Sequence, residues 1–148
     1  MPIKREKVMF ICTANACRSQ MAEGFAKEFG KGLIEVYSSG LMTANVHRRA
    51  IAVMNEVGID ISKHKSELID EDLLKEMDIV VTLCGSAEKY CPMTPKEIKR
   101  IHWPIEDPVG SIGTEEAIMS DFRRARDEIK EKVQKSRSRA SQPLLPLK

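Results

Sequence analysis

Val8-Met9-Phe10-Ile11-Cys12-Thr13-Ala14-Asn15-Ala16-Cys17-Arg18-Ser19 is the stretch around which this chain is organised. The apolar run 8–11 reads as a buried strand, and Met21, Ala22, Phe25, Ala26 and Phe29 follow at helical spacing. Strand, tight loop and helix N-terminus together hold a tetrahedral oxyanion on backbone N–H groups at the positive end of a helix dipole. Cys12 opens the loop with a nucleophile, and Arg18, six residues later, adds a bidentate clamp for the oxyanion. The helix N-terminus and Arg18 both favour the thiolate at Cys12. Ser19 is placed to donate a hydrogen bond to it, and Asn15 suits the left-handed backbone that such a loop uses.

Outward from this stretch the chain alternates between strand and helix patterns. Strands are predicted at about 7–11, 33–37, 78–83 and 99–103, the last being the weakest, with Ser38-Ser39-Gly40 read as a turn. Helices are predicted at about 19–30, 46–57, 68–77 and 114–135, with Gly30 and Gly58 as stops. This order implies right-handed βαβ crossovers and an α/β fold, a three-layer sandwich with a central four-stranded parallel sheet flanked by helices. No internal repeat or linker divides it, so residues 1–135 read as a single catalytic domain. Residues 136–148 depart from the helical pattern and read as a flexible C-terminal tail, whose Leu144, Leu145 and Leu147 offer a second reading as a docking segment.

The 148 residues suffice for one well-buried core, and 42% hydrophobic with 31% charged residues describes an ordinary globular chain. A net charge of +2 gives no reason to expect nucleic-acid binding. Residues 1–7 run straight into the first strand without a signal-peptide pattern, and no stretch is long enough to span a bilayer. The expectation is a cytoplasmic monomer with no membrane partner, whose four cysteines are reactive rather than a static disulfide framework.

In a parallel sheet, ligands bind at the carboxyl ends of the strands. Cys12 ends the first strand, Cys84 ends the third and Asp107 follows the fourth, so three reactive groups converge on one rim. Asp107, stiffened by Pro108, is the candidate general acid–base, with Glu106 the weaker one and an ordinary Asp-Pro turn the plain alternative. Cys84 and Cys91 carry three readings. The spacing is wide for a zinc pair and His47, His64 and His102 are scattered; two unrelated structural thiols are the second reading. In the third, Cys84 attacks Cys12 after its first reaction and Cys91 resolves that bond by thiol–disulfide exchange, which requires 84–91 to be mobile. Cys17 reads as a bystander liable to oxidative pairing.

From Cys12 to Ser19 the sequence resembles the phosphate loop of low-molecular-weight protein tyrosine phosphatases. More specifically it resembles the thioredoxin-coupled arsenate reductases of that fold. Arg18-Ser19-Gln20-Met21-Ala22-Glu23-Gly24, Val80-Val81-Thr82-Leu83-Cys84, Cys91-Pro92, His102-Trp103 and Asp107-Pro108 carry the likeness across about residues 7–133. The resemblance implies that Cys12 attacks arsenate while Arg18 and the loop of Thr13, Ala14, Asn15, Ala16, Cys17 and Ser19 hold the oxyanion and stabilise the thiolate, with Asp107 as acid. It further implies that Cys84 takes over from Cys12, releasing arsenite, and that a final Cys84–Cys91 disulfide is reduced by thioredoxin. No organic cofactor is implied, since the electrons come from thiols. Some members bind potassium. Asn15, Glu23 and Ser38 match that site, with Glu67 where those members have Asp. The loop has Ala14 and Ala16 where the family has Gly and Ser, which raises the question whether its backbone accepts a Cβ at Ala14.

Two other classes fit parts of the sequence. A phosphatase of the same fold would use Cys12, Arg18 and Asp107 and leave Cys84 and Cys91 without a role. Such phosphatases usually carry a Tyr soon after the Asp-Pro pair, and the only tyrosines here are Tyr37 and Tyr90. A non-enzymatic redox sensor would use Cys84 and Cys91 but leave Arg18 and Asp107 unexplained.

Overall fold

The computed structural model describes residues 5–137. Four parallel strands, β1 (Glu6–Cys12), β2 (Ile34–Gly40), β3 (Ile79–Thr82) and β4 (Lys99–His102), form one sheet in the order β2-β1-β3-β4. The helices are α1 (Arg18–Phe29), α2 (Arg48–Asn55), α3 (Glu71–Lys75), α4 (Gly85–Tyr90) and α5 (Glu115–Arg137), with a 3-10 turn at Pro108–Gly110. The chain leaves β1 in one direction and returns past it to β3. A right-handed crossover sets α1 on one face of the sheet, where α5 and α2 pack against it, while α4 packs against β1 and β3.

β1 and β3 are the central strands, and their near-continuous apolar sequences follow from burial on both faces: Val8 to Cys12 and Ile79 to Thr82 are all buried. Met21, Ala22, Phe25 and Ala26 of α1 meet the stripe Phe122, Ala125, Ile129 and Val133 of α5 in the same core. The register sets Cys12 opposite Gly40, and Thr82 opposite His102 and Ile11. All four strand ends share one rim.

The structure departs from the sequence expectations at edges and short elements. Ser38, Ser39 and Gly40 continue β2 rather than turning, because Gly40 pairs with Cys12 and bridges to Leu68. α2 starts at Arg48 because the His47 ring caps it by accepting from Arg49 N–H, and Asp70 likewise shortens α3 by capping Asp72 and Leu73. Residues 85–90, where no element is predicted from the sequence, form the helix α4. α5 runs two residues beyond 135, and Ser136 is buried, its hydroxyl donating to the Val133 carbonyl. Residues 138–148 lie outside the described residues.

A charged knot fastens α2 to α5. Glu56, at the end of α2, accepts from Arg123 (Nη2 at 2.8 Å) and Arg126 (Nη1 at 2.7 Å), and Arg126 also donates to the Val53 carbonyl. Hydrogen bonds from Arg123 above all, and from Arg126, pull the Glu56 carboxyl down to about 2 from an ordinary value of 4.5. A carboxyl depressed in the fold stabilises above its unfolded value and loses that contribution as pH falls through the folded one. Glu56→Gln is therefore expected to cost about 1 kcal/mol at pH 7, within the range for half-exposed pairs. Urea unfolding at several pH values should show the difference from wild type shrinking from about pH 4.5 and vanishing near pH 2.

Candidate active site

The loop 13–17 between β1 and α1 is held by its carbonyls. Thr13 O accepts from Met42 N, Ala14 O from the Ser66 hydroxyl, Asn15 O from Gln20 Nε2, Ala16 O from His47 N and Cys17 O from Met21 N, at 2.8–3.0 Å. Since a trans peptide directs N–H opposite to C=O, tying these carbonyls to their neighbours turns the loop amides to the opposite side. Asn15 alone among the described non-glycine residues has a positive φ, +50°. Ala14 does not, so its Cβ is accommodated without backbone strain. Asn15 is fully buried; its Oδ1 accepts from Glu67 N at 2.8 Å and its Nδ2 donates to Ser19 Oγ at 2.7 Å. Gly40 completes the cradle, because a Cβ there would lie 2.6 Å from Asn15 N.

Cys12 Sγ lies 2.9 Å from Ser19 Oγ. An amide nitrogen can only donate, so Ser19 accepts from Asn15 and its own proton is left for the Cys12 sulfur. No side chain caps the N-terminus of α1 and its first turn holds no acid, whereas His47, Asp70 and Cys84 cap α2, α3 and α4. The positive end of α1 is left to the loop.

Arg18 is buried, 6% exposed, with Nη1 donating to the Ile105 carbonyl at 3.0 Å and Nη2 3.3 Å from Asp107 Oδ2. Its Nε is buried without a partner. The other Asp107 oxygen accepts from Val109 N at 2.9 Å, which caps the 3-10 turn and fixes the carboxylate beside Arg18. Glu106 contributes its backbone carbonyl to Arg124 instead, so Asp107 is the carboxylate the fold brings to the site.

Cys84 enters through a contact with no signature along the chain. Its sulfur lies 3.3 Å from Thr13 Oγ1, on the residue after Cys12, and accepts from Ala87 N at 3.3 Å as the cap of α4. A hydroxyl, an amide and a helix N-terminus thus converge on one sulfur. Cys91 stands at the far end of α4, buried, and burial pushes its thiol up. Cys17 is buried behind the loop, where desolvation foremost, then the nearby Cys12 and Asp107, push its thiol far above the ordinary range. A thiol held neutral and covered is a poor nucleophile. All four cysteines are free.

The three histidines make separate structural bonds, His47 to Arg49 N, His64 to Gln20 and His102 to Thr82. Among the described residues no group of three His, Cys, Asp or Glu could hold a metal. The residues matched to potassium do gather: Glu23, Ser38 and Glu67 line a cavity of about 410 Å³, and Asn15 bonds to Glu67 N. In the structure Glu23 accepts from Ser38 with one oxygen and pairs with the Lys27 ammonium through the other, Asn15 Oδ1 accepts from the Glu67 amide, and Glu67 is exposed. The cation beside Glu23 is thus the Lys27 ammonium.

The sequence profile of the low molecular weight phosphotyrosine protein phosphatases matches residues 7–141. The chain belongs to that family. Within it, the chain is 50% identical over 122 residues to an arsenate reductase of Bacillus subtilis, spanning 82% of this chain and 88% of that one. A solved arsenate reductase in its phosphate-binding state superposes with a TM-score of 0.75 at 41% identity, covering 92% of this chain and 99% of the other. A thioredoxin-dependent arsenate reductase of Corynebacterium glutamicum gives 0.71 at 27% identity, covering 93% and 64%. For this family member the cradle predicts that Gly40→Ala, by driving a Cβ into the Asn15 amide, costs about 1–3 kcal/mol in urea unfolding. An unchanged midpoint would mean that the loop yields freely.

Proposed function

We propose that this protein is an arsenate reductase that works by a relay through Cys12, Cys84 and Cys91, recycled by thioredoxin. The observation that carries the reading is the Thr13–Cys84 hydrogen bond. It brings a second thiol, capped by a helix N-terminus, onto the loop that holds the first. A phosphatase has no use for that sulfur. The names of the relatives support the substrate, and the C. glutamicum neighbour supports the electron donor.

Arsenate is held by the amides of the loop and by Arg18, whose unpartnered Nε supplies a donor. The Cys12 thiolate attacks arsenic and a protonated oxygen leaves as water, with Asp107 beside Arg18 as the proton source. Cys84 then attacks Cys12 Sγ. The S–As bond breaks with its electron pair on arsenic, which leaves as arsenite, and a Cys12–Cys84 disulfide remains. Cys91 attacks Cys84 Sγ and frees Cys12 as thiolate, and thioredoxin's dithiol reduces the Cys84–Cys91 bond.

The last exchange requires α4 to open. Cys84 and Cys91 flank it seven residues apart, about 10 Å along a helix at 1.5 Å per residue, and a disulfide tolerates no more than about 7 Å between Cα atoms. A helix of six residues has little stability of its own, so opening it is cheap. The working unit in this reading is residues 1–135, a monomer in the reducing cytoplasm. No described helix is long and apolar enough to cross a membrane.

Arsenate-dependent NADPH consumption with thioredoxin and thioredoxin reductase tests the relay. Wild type should turn over, and Cys84→Ser and Cys91→Ser should each fall by at least about 100-fold. If wild type is inactive yet hydrolyses p-nitrophenyl phosphate as well as both variants do, the phosphatase reading replaces this one. With the Lys27 ammonium on Glu23, turnover in potassium, sodium or tetramethylammonium salts should agree within about twofold. A strong stimulation confined to potassium would mean that the ion displaces Lys27.

A further inference from the structure

The end of α4 that carries Cys91 is fastened to β4 by a cluster the relay itself does not use. Glu88, on α4, accepts from Thr82 Oγ1 at 2.7 Å. It also lies 3.6 Å from His102 Nδ1 and 3.8 Å from Arg100 Nη2. The other end of the same guanidinium, Arg100 Nη1, donates to the carbonyl of Pro92, the residue after Cys91, at 3.0 Å. One arginine thus spans the end of α4, with the Glu88 carboxylate on one side and the chain just past Cys91 on the other.

We propose that Arg100 is the positioning residue for the third thiol: it anchors the Cys91 end of α4 to the sheet and stabilises the Cys91 thiolate that attacks Cys84. The inference rests on the relay reading and adds to it the group that activates its last internal step. In that step Cys91 loses its proton to solvent and its thiolate bonds to Cys84 Sγ. The Cys12–Cys84 bond breaks, and Cys12 leaves as thiolate beside Ser19. One disulfide replaces another, so no outside oxidant or reductant is needed.

The charged groups facing Cys91 are Arg100 from β4 and Glu88 from α4, with His102 behind Glu88. Burial raises the Cys91 thiol most, Glu88 adds to the rise, and Arg100 opposes it by charge and by hydrogen bonding. While α4 is closed, Glu88 offsets the guanidinium and the thiol stays protonated. The anchor on Pro92 is outside α4, so unwinding the helix carries Glu88 away and leaves Arg100 beside Cys91. The activating charge, partly offset by Glu88 in the closed state, is then strongest in the open state, in which Cys91 can reach Cys84.

The test is alkylation of Cys91 by iodoacetamide across pH in the reduced full-length protein, followed by peptide mass spectrometry. Arg100→Gln should move the midpoint up by about one pH unit, Arg100→Lys should restore most of the shift, and Glu88→Gln should move it down. In an acid-quenched single turnover with arsenate and no thioredoxin, Arg100→Gln should accumulate the Cys12–Cys84 disulfide and convert it about tenfold more slowly at pH 7. An unshifted midpoint in Arg100→Gln, or Arg100→Lys behaving like Arg100→Gln, overturns the proposal. Should Arg100→Gln fail to fold, an unshifted midpoint in Glu88→Gln overturns it equally. If wild type forms no arsenate-dependent disulfide, the relay reading fails, and the proposed step with it.

Discussion

Five carbonyl hydrogen bonds hold the loop 13–17, and the rest of the site depends on them. Each ties a peptide oxygen to a different neighbour, among them the chain after β2, the segment before α3, and the starts of α1 and α2. Amides turned to one side repel one another, so a cradle of this kind persists only when the surrounding structure over-determines it. Here the determination comes from Gly40, which lets β2 end against Asn15, and from Asn15, whose buried side chain joins the loop to the Glu67 amide and to Ser19.

The electrostatics follow from that frame. Asn15 fixes Ser19 as an acceptor, which directs the Ser19 proton at Cys12. α1 begins without a side-chain cap, so its positive end faces the same sulfur. The four cysteines then separate by surroundings alone. Cys12 and Cys84 each receive a hydroxyl and a helix N-terminus, Cys91 lies under apolar cover with Arg100 beside it, and Cys17 is buried where no donor reaches it. Identical side chains on one rim thereby take on different chemistry.

α4 is where fold and function pull against each other. It is short enough to open, yet it supplies the helix N-terminus that caps Cys84 and is tied to the sheet through Glu88. A longer helix would keep the two thiols apart. A loop would leave Cys84 without its cap.

The order of residues alone carried the four strands, the parallel sheet and the loop that follows β1, because central strands and an amphipathic helix write their burial into short-range periodicity. It also carried the convergence of Cys12, Cys84 and Asp107, since one ends a parallel strand and the other two follow the carboxyl ends of such strands. Element edges were less legible. The turn read at Ser38-Ser39-Gly40 is strand, and residues 85–90, where no element was read, form a helix, because Gly40 pairs across the sheet with Cys12 and Cys84 caps its own helix. The pairing of Thr13 with Cys84 and of Arg18 with Ile105 had no signature along the chain. These pairs join residues 71 and 87 positions apart. Such contacts follow from how packed layers bring loops together, which residue spacing does not encode.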